Sequence, residues 1–104
     1  MKDEEYYKIF LDTFGEETQF QCAIEEMGKL LQAICKYKRK VATGDEPEIK
    51  KALENLQEEI ADVSINIGQL SFMFGQDKIN EIKQYKLDRA LKRAKNKNKE
   101  GWNS

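Results

Sequence analysis

Apolar residues recur along the middle of this chain at alternating intervals of three and four. Leu53, Leu56, Ile60, Val63, Ile67, Leu70 and Phe74 follow that rule, which predicts one long helix with a continuous packing seam. Glu59, Asp62, Asn66 and Gln69 fall on a second stripe about 100° round from the seam, with Ile65 and Phe72 beyond it. Carboxylates set between two apolar strips are costly to bury unless they are paired or hold a cation, so packing alone does not account for Glu59 and Asp62.

The same reading predicts three further helices. Tyr6, Ile9, Phe10 and Phe14 lie at helical spacing behind the acidic start Asp3-Glu4-Glu5, which suits the positive end of a helix dipole. Gly15 interrupts, and a second helix runs from Glu16 to about Val41 with Phe20, Ile24, Met27, Leu31 and Ile34 as its apolar seam. On its flank lie Gln19, Glu26, Lys29 and Ala33, matching the flank that carries Glu59 and Asp62. Antiparallel packing of the two helices along their seams would bring those flanks together. Residues 42–45 read as the connecting turn, with Asp45 or Glu46 near the cap and Pro47 in the first turn of the third helix. Gly75 closes that helix as a left-handed residue, and a fourth runs from Asp77 to about Lys95 with Lys86, Arg89 and Arg93 on one strip. The expected organisation is one all-α domain over residues 1–95, followed by a disordered lysine-rich tail over 96–104 that includes Trp102.

Composition narrows the chemistry. The 104 residues contain no histidine, which removes every Ser-His or Cys-His nucleophile and every histidine general base. Catalysis would have to run on carboxylates, lysines or a bound metal. Cys22 and Cys35 point to different sides of one helix, so they are expected to be reduced thiols that cannot bridge within the chain. With 36% charged residues, a single copy has too little apolar surface to cover both faces of its main helices, so a homodimer or homotetramer is expected. No apolar run approaches the roughly 20 residues of a membrane span, and a cytoplasmic location without membrane contact is expected. A net charge of −1 and a basic run at 86–99 without interleaved aromatics speak against nucleic acid as a partner.

Residues i and i+3 on a helix face the same way, so two acidic pairs on neighbouring helices can aim several carboxylates at one spot. Mg²⁺, a hard cation that prefers oxygen ligands and bridges phosphates, suits such a cluster. Glu25-Glu26 on the second helix and Glu59-x-x-Asp62 on the third carry a resemblance that covers about residues 15–93. The chain resembles the MazG-like, all-α nucleoside triphosphate pyrophosphohydrolases, whose signature is Glu-Glu-x-x-Glu on one helix and Glu-x-x-Asp on the next. The resemblance implies a four-helix MazG-like fold with its bundle completed by oligomerisation. It also implies Mg²⁺-dependent, or Mn²⁺-dependent, hydrolysis of a (deoxy)nucleoside triphosphate to the monophosphate and pyrophosphate, with Glu26, Glu59 and Asp62 as metal ligands. One position departs from the signature. Lys29 stands where its last glutamate belongs, placing a fixed cation among Glu26, Glu59 and Asp62, where it would neutralise the cluster or contact phosphate.

The alternative reading is a catalytically impaired relative that binds nucleotide or a protein partner through the same cleft. Among the remaining candidates, Gln19 and Asn66 are expected to border the substrate, and Lys86, Arg89 and Arg93 to reach its phosphates from the fourth helix. For each, a plain structural role, as an interhelical hydrogen bond or a solvated basic face, competes with the functional one. Glu25 points about 100° from Glu26 and reads as a surface charge or a neighbour of the metal. Phe14 and Phe20 read as core residues that could also border a base.

Overall fold

Three positive-φ glycines separate four helices, α1 (Asp3–Phe14), α2 (Glu16–Thr43), α3 (Glu46–Phe74) and α4 (Gln76–Lys97), in a computed structural model that describes residues 1–98. No strand is present among the described residues. Gly44 does the sharpest work. At φ 73° and ψ 5° it takes the left-handed conformation that ends α2, and its N–H donates to the Val41 carbonyl. An L side chain adopts that backbone only at a cost. Asp45 then opens α3, its carboxylate accepting from the Glu48 N–H at 3.4 Å, while Thr43 Oγ1 accepts from the Asp45 N–H at 3.2 Å. Lys40 closes the turn by an ion pair to Glu48 at 3.4 Å.

Two compact units divide the chain, one spanning Met1–Met73 and the second beginning at Phe74. In the first, α2 and α3 form an antiparallel hairpin about 42 Å long, from roughly 1.5 Å per helical residue. Its contact line keeps Leu56, Val63 and Leu70 of the expected α3 seam and otherwise departs from the apolar seams expected from the sequence. The buried and half-buried sets are Gln19, Ala23, Glu26, Leu30, Ala33, Tyr37 and Lys40 along α2, with Phe20 and Gly28 half-buried beside them, and along α3 they include Ala52, Leu56, Glu59, Val63, Asn66 and Leu70. Both sets keep the three-and-four alternation of interlocking helices. Ala23, Ala33 and Ala52, each at most 4% exposed, bring the backbones close. Ile24 (65% exposed), Leu31 (67%) and Ile60 (48%) of the expected seams instead face outward. The physical reason is that small side chains permit the closer approach, so the hairpin packs along its alanine line and leaves its bulkier apolar line uncovered.

Two buried glutamines fasten α1 to this hairpin. Gln69, 2% exposed, donates from Nε2 to the Tyr7 carbonyl at 3.0 Å, and Gln19 donates to the Phe10 carbonyl at 3.5 Å. The Tyr7 ring lies directly on Gly68, where a Cβ would sit 2.6 Å from its Cζ. Tyr7 also tilts against Phe72 at 6.4 Å between ring centres.

In the second unit, every described residue of α4 is exposed. The helix runs to Lys97 with Asn98 as its cap, so residues 96 and 97 of the expected tail are helical, and the rest of that expectation, residues 99–104 with Trp102, lies outside the described residues. No described helix is long and apolar enough to cross a membrane. Cys22 and Cys35 are both exposed and free.

Candidate functional site

Glu26 and Glu59 occupy positions of the hairpin seam that an ordinary helical pair fills with apolar side chains. Placing them there brings together Glu26, Glu59 and Asp62, which each offer one carboxylate oxygen within 4.8 Å of the others. Glu26 has a side chain only 20% exposed, and Glu59 is half-buried. Glu26 Oε2 and Glu59 Oε2 are both shut off from solvent without any hydrogen-bond partner. Buried polar oxygens of native proteins are nearly always satisfied, so two unpartnered carboxylate oxygens within a cluster of three acids leave room for a positive charge. Asp62 sits at the exposed edge of the trio.

The electrostatics agree with that geometry. Burial raises the pKa of Glu59 above the usual glutamate range, the charge of Glu26 and a carboxyl–carboxylate hydrogen bond with it raise it further, and Asp62 adds to them, while Lys29 opposes. Lys29 Nζ donates to Glu26 Oε1 at 3.4 Å, and its own pKa is raised by that hydrogen bond and by the charges of Glu26, Glu59 and Glu25. The lysine therefore stands at the rim beside Glu26, with a side chain 58% exposed. Glu25 turns away, accepting from Gln21 Nε2 at 3.4 Å on the exposed side of α2.

An open pocket of about 450 Å³ adjoins the carboxylates, lined by Phe10, Phe14, Thr18, Gln19, Cys22, Glu26, Asp62, Ile65 and Asn66. Gln19 and Asn66 thus reach the same cleft as Glu26 and Asp62. Each has its amide nitrogen engaged, Gln19 on Phe10 and Asn66 on the Asp62 carbonyl at 2.8 Å. Lys86, Arg89 and Arg93 are exposed on α4, in the second unit, and the Arg89 guanidinium lies 5.7 Å from the centre of the Tyr85 ring. Phe14 borders the pocket, 59% exposed; Phe10, which also borders it, was read from the sequence only as part of the α1 pattern. The signal that could have placed α1 there is Gly68, a glycine inside a strongly helical pattern, which marks a close approach.

No protein-family model matches the chain, and neither characterised proteins nor solved structures give a match to it.

Proposed function

We propose that the chain is a nucleoside triphosphate pyrophosphohydrolase of the MazG-like kind, with a divalent cation, Mg²⁺ or Mn²⁺, held by Glu26, Glu59 and Asp62. The observation that carries this reading is the acidic trio at the helical seam, with two of its buried oxygens, Glu26 Oε2 and Glu59 Oε2, lacking a hydrogen-bond partner. Carboxylate oxygens are the donor set that Mg²⁺ prefers, and the trio fits a cation that also keeps water and phosphate ligands. Bound there, the ion would neutralise phosphate charge and lower the pKa of an attacking water. Glu26 and Glu59 would fix the position of the triphosphate, and the exposed Asp62 would lie nearest the incoming water and orient it. Lys29 would hold Glu26 by their ion pair and offer a donor to phosphate oxygens at the rim. Gln19 and Asn66 would border the nucleotide in the adjoining pocket. Water attacks at the α–β linkage, giving the nucleoside monophosphate and pyrophosphate. Nucleic acid and membrane have no part in this reading.

A second copy of the chain completes the bundle in this proposal, by covering the outward apolar line of α2 and α3. The Lys29–Glu26 pair favours one further reading, a catalytically impaired protein that binds the nucleotide without cleaving it. One assay separates them. With Mg²⁺ and a panel of triphosphates, the wild type is expected to release pyrophosphate, Asp62→Asn to lose the activity by at least about a hundredfold, and Lys29→Glu to lower the Mg²⁺ concentration required. Thermal stabilisation by triphosphate with no pyrophosphate would establish the binding-only protein instead. Orthophosphate as the product would reject the α–β cleavage.

A further inference from the structure

A second cavity, of about 370 Å³, opens beside the carboxylate pocket and is lined by Asp3, Tyr6, Tyr7, Phe10 and Ile65. It shares Phe10 and Ile65 with that pocket, so the two adjoin at those side chains. Its walls are mostly aromatic. Tyr6 and Phe10, one turn apart on α1, tilt at 39° with ring centres 6.2 Å apart, and Tyr7 is pinned in place by Gly68 and Phe72. Flat heteroaromatic rings stack on such side chains with little ordering cost, because tyrosine and phenylalanine have few rotatable bonds. Asp3 also lines it, exposed, and its carboxylate makes no ion pair or side-chain hydrogen bond among the described residues.

We propose that this aromatic cavity receives the base of the nucleotide whose phosphates lie at Glu26, Glu59 and Asp62, and that Asp3 makes guanine the preferred base. The proposal rests on the pyrophosphohydrolase reading of the neighbouring carboxylates. A carboxylate is an acceptor only, and guanine presents two adjacent donors, N1–H and N2–H, which can engage its two oxygens side by side. Adenine and cytosine offer one exocyclic amine each. Uracil places its single N3–H between two carbonyl oxygens, which face a carboxylate with repulsion. Binding energy gained by the base is gained at a distance from the reacting phosphate, and it separates one triphosphate from another without altering the chemistry.

The test compares guanosine triphosphate, uridine triphosphate and base-free methyl triphosphate on wild type, Tyr6→Ala and Asp3→Asn. The readouts are kcat/KM and, by calorimetry, Kd. Tyr6 is 45% exposed, and a thermal melt checks that its truncation leaves the fold intact. The wild type is expected to prefer guanosine over uridine triphosphate by about tenfold or more, and Tyr6→Ala to lose about tenfold on the former while keeping methyl triphosphate unchanged. Asp3→Asn is expected to bring the guanosine-to-uridine ratio close to one. Equal effects of Tyr6→Ala on all three ligands, or wild-type use of methyl triphosphate as well as guanosine triphosphate, would overturn the base pocket and leave the pyrophosphohydrolase reading standing. Neither turnover nor binding of any triphosphate, methyl triphosphate included, would remove that reading and the base pocket with it.

Discussion

Glu59 is the residue on which charge and fold meet. Its carboxyl is raised above the usual glutamate range, first by burial and then by Glu26 and Asp62. A raised folded-state pKa means that the native protein takes up this proton more readily than the unfolded chain. Stability therefore falls as pH rises from the usual glutamate range through the raised value, and the cost is fully present above it. The expected outcome is that Glu59→Gln melts higher than wild type at neutral pH, and that the difference closes as pH falls through that window. Adding Mg²⁺ at neutral pH should raise the wild-type melting temperature and leave Glu59→Gln nearly unmoved. A wild type less stable than Glu59→Gln at every pH, and indifferent to Mg²⁺, would show that the carboxylates serve no cation. The acidic pattern at this site was visible in the chain, because Glu59 and Asp62 interrupt an apolar periodicity. The two orphaned oxygens were not, since they depend on where the neighbouring helix ends its side chains.

At the scale of elements, boundaries follow local chemistry and contacts do not. Gly15, Gly44 and Gly75 break the helices where the sequence predicts, and the Asp45 cap opens α3 as expected. The docking of α1 instead depends on Gly68 and Tyr7, which are far apart in sequence and carry no shared pattern. Gly68→Ala places a methyl group against the Tyr7 ring, and overpacking of this kind costs about 1–3 kcal/mol. A lowered melting temperature in Gly68→Ala, recovered in Gly68→Ala with Tyr7→Ala, is the expected result. A stable single variant would place α1 elsewhere. Because Gln19 and Gln69 hold the same helix through main-chain carbonyls, displacing α1 would also disturb the walls of both pockets.

Over the molecule as a whole, the unresolved surface is the apolar line of the hairpin. Ile24, Leu31 and Ile34 on α2, with Leu53, Ile60 and Ile67 on α3, keep helical spacing while remaining 38–67% exposed. A row of exposed apolar side chains of this kind suits the proposed assembly, in which it would be covered. The partner in the proposed assembly is a second copy, because two identical apolar hairpins are mutually complementary across a two-fold axis. Sedimentation of the wild type is expected at a multiple of the chain mass, and of Leu31→Glu at the monomer mass. In an isolated chain Leu31 is 67% exposed, and its substitution would then change stability by no more than about 0.5 kcal/mol. A monomeric wild type would dismiss the assembly.

The sequence by itself determined the all-α class, the helix ends and the acidic positions that packing could not explain, because periodicity, glycine conformation and capping act over a few neighbouring residues. Only the tertiary structure decided which stripe of α2 meets which stripe of α3. Leu56, Val63 and Leu70 of the expected α3 seam stayed on the contact line, while on α2 a line through Ala23 and Ala33 took the place of Ile24, Leu31 and Ile34, because small side chains let two backbones approach. That choice turned Glu26 and Glu59 inward to face each other, left Leu31 and Ile60 outside, and opened the aromatic cavity beneath α1.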